Sequence, residues 1–175
     1  REVVDTAILC LTFKGDTLTA LASNRGLTST DRLLANQRAD VHKPSNFGSR
    51  PLHNASMNGH PDTARLLLEL RADVNAQCRG GGTACWSAAL EGHDRVIRLL
   101  ISARAAFIAE QRGATPVWVA AQNGHDRVVV TLAKARASID DPTNSGTTPI
   151  AISAKNKHEN VVPTPRAPRS AAALA

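Results

Sequence analysis

Four histidines recur in step along the chain. His60, His93 and His125 each follow a glycine, and His158 follows Lys157. Imidazole can ligate a metal or change charge near neutral pH, so a regular histidine series raises both chemistries. The ligands of one metal must lie about 2 Å from it, and residues a whole repeat apart do not meet that demand. A row of imidazoles bridging loop backbone between repeated units fits the spacing better. Arg38, Arg71, Arg104 and Arg136 recur with the same step, each followed by Ala. Guanidiniums in a row could face acidic side chains or phosphates, which makes them candidate anion-binding residues. A solvated face inherited with the repeat accounts for them more simply. Trp86 and Trp118 hold equivalent places in consecutive units, where His53 stands in another. They could anchor a partner, since Trp is enriched in binding hot spots, or pack in the core.

Catalytic constellations do not emerge. Ser56 and Ser87 lack the glycine context of a nucleophile elbow. Glu91, Asp94, Glu110 and Asp126 fall on solvent faces or at helix starts. Gly80-Gly81-Gly82 is glycine-rich, yet no Lys-Ser/Thr of a phosphate loop follows it, so it reads as a turn. Cys10, Cys78 and Cys85 are odd in number and show no zinc-ligand spacing. Cysteines of this kind usually serve as small core hydrophobes, and their use suits a reducing, intracellular setting, cytoplasmic or nuclear. No metal, cofactor or enzymatic activity is expected.

These residues are spaced by an internal repeat. Gly15, Gly48, Gly81, Gly113 and Gly146 lie 33, 33, 32 and 33 residues apart. A second landmark keeps step: Gly26, Gly59-His60, Gly92-His93, Gly124-His125 and Lys157-His158. Each unit reads as two short helices. In the third, Thr83 caps a helix from Ala84 to Glu91 and Gly92 ends it; Asp94 then opens a second. Val96, Ile97, Leu99, Leu100 and Ala103 follow at helical spacing. In the fourth, Thr115-Pro116 starts one helix and Asp126 to about Arg136 forms the next. The second offers Pro51 to Asn58 and Pro61 to about Leu70. Helices this short are stable only when stacking buries their apolar faces. Composition agrees: hydrophobic residues are 42%, aromatics 3%, with no Tyr, so small aliphatics must pack helices closely. The net charge of +6 and a pI near 9.9 raise nucleic acid, acidic lipid or acidic protein as partners, or serve solubility alone. No apolar run approaches a membrane span, and no signal peptide is evident.

Pro51-Leu52-His53-Asn54-Ala55 with Gly59-His60, Leu66-Leu67-Leu68 and Ala72-Asp73-Val74-Asn75-Ala76 resembles the ankyrin repeat. Thr115-Pro116 through Gly124-His125-Asp126 is similar to it as closely. The resemblance spans about Gly15 to Val162. It implies an all-α solenoid of helix-turn-helix units with projecting β-turn fingers, and a protein-binding role on the concave face. Three departures stand out. The first unit has Leu18-Thr19-Ala20 in place of the motif and a polar second helix, about Ser29 to Gln37. The last unit is cut short after Val161-Val162 by Pro163, Pro165 and Pro168. Arginine stands where the family places glycine after the second helix; a left-handed arginine costs on the order of 1 kcal/mol, unless the chain turns differently there.

The expected organisation is an N-terminal helix or remnant repeat (1–14), a degenerate repeat (15–47), repeats at 48–80, 81–112 and 113–145, a truncated repeat (146–162) and a Pro/Arg/Ala tail (163–175). The leading functional reading is a protein-interaction scaffold or adaptor. By alignment to the family's variable positions, its contacts on the first helices are Met57, Asn58, Leu90, Glu91, Gln122 and Asn123. On the fingers they are Phe47, Ser49, Arg79, Gln111, Arg112, Ser145 and Thr147. Two alternatives stay open: an electrostatic binder of nucleic acid or anionic lipid through the arginines, and a targeting segment of a larger protein.

Overall fold

A computed structural model of the chain describes residues 25–26, 42–45 and 48–158. Seven helices fall within that range: α1 (Pro51–Met57), α2 (Pro61–Glu69), α3 (Ala84–Leu90), α4 (Asp94–Ser102), α5 (Pro116–Gln122), α6 (Asp126–Lys134) and α7 (Pro149–Lys155). No strand occurs among the described residues. The expected helix at 1–14, the polar helix at 29–37, Val161-Val162 and the tail at 163–175 lie outside them, as do Arg38 and Phe47.

The odd-numbered helices begin where the sequence supplies a cap. Thr83, Thr115 and Thr148 accept, on Oγ1, the N–H of Trp86, Trp118 and Ala151, each at 3.2 Å. Pro51, Pro116 and Pro149 open their helices, where the missing N–H has no intrahelical partner to lose. At α1 the cap position is Arg50, which makes no capping bond with its side chain; instead Nδ1 of His53 accepts the Arg50 N–H at 3.3 Å.

The even-numbered helices settle how the arginines sit. The N–H of Arg71 goes to Leu68 O and that of Ala72 to Leu67 O. The pair repeats as Arg104 to Ile101 with Ala105 to Leu100, and as Arg136 to Ala133 with Ala137 to Leu132. This double bond pattern needs a left-handed residue just past the helix. Arg71, Arg104 and Arg136 supply it with φ of 64°, 63° and 68°, so the chain does not turn differently there. The strain is accepted because the pattern satisfies helix-end carbonyls that would otherwise be orphaned.

The helices form two layers. α1, α3, α5 and α7 stack in one row and α2, α4 and α6 in the other, with α1, α3 and α5 each packing on the even helix that follows. One continuous core runs through both, from Leu52 and Leu67 through Ile97 and Leu100 to Val129 and Leu132. Alanines at 55, 88, 89, 120 and 121 are fully buried and let the first row approach closely. The histidine row serves this stacking. Nε2 of His93 meets Met57 O at 2.9 Å, and Nε2 of His125 meets Leu90 O at 3.0 Å. Each ring lies so tightly over the preceding loop that a Cβ on Gly59 or Gly92 would fall 2.6 Å from it. In the second row, Thr131 Oγ1 donates to Asp94 Oδ1 at 2.6 Å, and Arg98 Nε donates to Asp94 Oδ2 at 2.9 Å. Burial pushes the Asp94 carboxyl up, but the Thr131 and Arg98 hydrogen bonds and the charges of Arg98 and Arg127 outweigh it and hold it below its ordinary value.

Candidate binding cleft

Between consecutive units the backbone projects as tight turns. The N–H of Gly81, Gly113 and Gly146 closes on the carbonyl of Cys78, Glu110 and Thr143, at 2.9, 2.9 and 2.8 Å. Below each turn a second bond pairs Cys78 N with Gly82 O, Glu110 N with Ala114 O, and Thr143 N with Thr147 O. Adjacent fingers are laced together. Gln111 donates its backbone N–H to Gly80 O and its Nε2 to Arg79 O, at 3.1 and 2.8 Å. Asn144 donates in the same way to Arg112 O and Gln111 O, at 2.9 and 3.0 Å. The amide side chains of Gln111 and Asn144 therefore fix finger to finger.

A parallel set of bonds ties helices to fingers. Trp86 Nε1 donates to Ala114 O at 3.1 Å, and Trp118 Nε1 to Thr147 O at 3.0 Å. His53, at the same place in its unit, meets Gly82 O through Nε2 at 3.2 Å. One position thus holds the next finger in three successive units, and the two indoles remain half-buried. Burial lowers the His53 pKa, against the opposing effect of the Gly82 hydrogen bond. The imidazole is accordingly neutral, accepting at Nδ1 and donating at Nε2.

The angle between the fingers and α3 and α5 holds a cleft of about 740 Å3. Its helix side carries Trp86, Leu90, Trp118, Val119 and Gln122. Its finger side carries Glu110, Gln111, Arg112 and Ala114, with Thr143, Asn144 and Ser145 beyond. Of the contact residues expected from sequence, Leu90, Gln111, Arg112, Gln122 and Ser145 come together here with both tryptophans. Ser49, Met57, Asn58, Arg79, Glu91, Asn123 and Thr147 do not line it. Met57 is 41% exposed on the outer turn of α1. Arg79 is exposed on the neighbouring finger and Glu91 at the end of α3. Asn123, exposed at the end of α5, donates to Leu90 O and Val119 O, and Thr147 contributes its carbonyl to Trp118. Asn144, Glu110 and Val119 line the cleft without having been expected. Asn144 occupies in its finger the place of Gln111, which could have marked it.

The charges of the cleft are unequal in availability. Glu110 Oε1 accepts the N–H of Arg112 at 2.9 Å and of Ala114 at 3.3 Å, which ties the carboxylate to its own finger. Arg112 and Arg79 are exposed, and among the described residues neither guanidinium has a carboxylate at ion-pair distance. The Cys85 thiol is fully buried, and burial pushes it up to about 12, so it is no nucleophile at neutral pH. Among the described residues no group of three His, Cys, Asp or Glu side chains could hold a metal ion. No helix there is long and apolar enough to cross a membrane.

The helix pairs and laced fingers define a helical repeat solenoid. The family model for ankyrin repeats matches the chain in three copies over residues 18–111, and a further single ankyrin repeat matches residues 112–144. The chain belongs to the ankyrin repeat family, whose repeats generally serve as protein–protein interaction modules and are typically non-enzymatic scaffolds. No curated protein matches it.

Proposed function

We propose that this chain is a non-catalytic protein-interaction scaffold that holds its partner in the cleft between α3, α5 and the fingers. The observation that carries this reading is the fixed aromatic floor. Both indoles are oriented by hydrogen bonds to neighbouring fingers, and the fingers are laced to one another. A surface already ordered before binding loses little conformational freedom on association. Half-buried Trp beside free Arg is also the composition of interface hot spots. The test is quantitative affinity capture with the unaltered chain and with a double variant, Arg112→Glu and Gln122→Lys, whose folding is checked by thermal melting. The reading expects partners of the unaltered chain to disappear from the variant. Partners retained in full by the variant contradict it.

The second reading, electrostatic binding of nucleic acid or anionic lipid, draws support from the opposite face. From Asp94 to Arg104 and again from Asp126 to Arg136, three cations stand against one carboxylate. Arg71, Arg104 and Arg136 are all exposed and have no ion-pair partner among the described residues. Phosphate binding should fall by orders of magnitude between roughly 50 and 200 mM salt. Binding that ignores salt, or none to DNA, RNA or anionic vesicles at low salt, removes this reading.

A further inference from the structure

We infer that the cleft takes an extended acidic segment, which seats an apolar side chain against Trp86 and Trp118 and sets a carboxylate against Arg112. This rests on the cleft being the partner face and adds the chemistry of the occupant. Size comes first. A volume of about 740 Å3 accommodates a few side chains of one segment, as pockets for compact ligands do. The floor sets the anchor. Both indole N–H groups are already donated to Ala114 O and Thr147 O, so the rings offer a ligand only their apolar surfaces. Leu90 and Val119 beside them extend that apolar floor. A polar anchor would be desolvated there with nothing to bond.

The rim sets the sign of the charge. Glu110 is the one carboxylate in the lining, and two backbone N–H groups of its own finger occupy its Oε1. Arg112 in the lining and Arg79 on the next finger are uncompensated among the described residues. The amides of Gln111 and Asn144 are consumed between fingers, whereas the Gln122 side chain makes no hydrogen bond among the described residues and can serve the backbone of a bound segment. A basic segment would face two guanidiniums with one engaged carboxylate to answer them.

The array carries its own reporter, because Trp86 and Trp118 are its only tryptophans and it has no Tyr. A random twelve-residue peptide library, free of Trp and Tyr, is panned on the full chain, and the enriched sequences are synthesised and titrated while tryptophan emission is followed. Enriched peptides should carry an aliphatic residue or proline flanked by Asp or Glu, and should shift the emission. Arg112→Glu, an exposed substitution, should weaken them by about tenfold, and Arg79→Glu should weaken them in the same direction. The same peptides with Lys in place of each acid should recover affinity for Arg112→Glu. Basic or uncharged enriched sequences that still shift the emission overturn the acidic occupant while leaving the cleft as the partner face. Enriched peptides that leave the emission unchanged overturn both, and a library that enriches nothing counts against the acidic segment.

Discussion

Arg71, Arg104 and Arg136 hold left-handed backbone where glycine would be strain-free. Their N–H groups and those of the following alanines are fully used in closing helix ends, so the strain has no local alternative. Replacing each by glycine should raise stability by about 0.5 kcal/mol, since relief of the left-handed penalty exceeds the extra freedom glycine has when unfolded. The triple variant should show the sum in urea melts, because the sites share no partner. A triple variant no more stable than the unaltered chain would show the arginines held by contacts outside the ladder described. His53 makes a second residue-scale prediction. It is buried and neutral, with Nδ1 accepting from Arg50 and Nε2 donating to Gly82, and its folded pKa lies below its ordinary 6.5. Below pH 6.5 the unfolded chain therefore takes up a proton that the folded chain refuses, and stability falls as pH drops from 6.5 towards the folded value. Urea midpoints at pH 7.5 and 5.5 should separate more for the unaltered chain than for His53→Gln. Equal pH sensitivity in the two would place the loss elsewhere.

At the scale of elements, much was legible because the signals are local. Thr83 and Thr115 as caps, Pro116 at a first position and Asp94 and Asp126 at helix starts all appear where their chemistry predicts. The second helices end a residue or two earlier than the apolar pattern suggests, since Leu70, Ala103 and Ala135 serve as C-caps before the left-handed arginine. The histidine series read as imidazoles bridging loop backbone between units, and His93 and His125 do so; what the pattern did not reveal is how closely the rings fit. That a histidine ring fills the space a glycine leaves in the preceding loop depends on stacking, which no single repeat encodes. Two alanine substitutions separate the contributions. Gly146 has φ of 81° with open space around its Cβ position, so Gly146→Ala should cost only the backbone term, about 1 kcal/mol. Gly92 has φ of 77° and the His125 ring 2.6 Å from its Cβ position, so Gly92→Ala should cost roughly 2–4 kcal/mol, backbone strain and overpacking together. Thermal melts that rank the two equally would mean the histidine contact yields freely.

Over the whole molecule, stacking turns a one-dimensional series into a surface. Positions that are merely periodic in sequence become neighbours: Trp86 and Trp118 on one floor, Gln111 and Asn144 along one lace of fingers. The site was therefore partly legible. Alignment to the family's variable positions points to the concave side, and five of the expected contacts meet there with the tryptophans. Which of those side chains remain free is set by hydrogen bonds that the sequence does not display: Asn123 is engaged by Leu90 across 33 residues, Glu110 is tied to its own finger, and Arg112 stays available. The central claim is that a partner docks on this cleft and not on the outer row of α2, α4 and α6 with its exposed arginines. The most direct measurement is fluorine NMR of the chain labelled with 5-fluorotryptophan, which yields two resonances, one from each side of the cleft floor, with no signal from the unlabelled partner. Saturating partner should shift or broaden both. Two unmoved resonances under saturation, with binding verified by sedimentation, would contradict the account and send the search to the outer face.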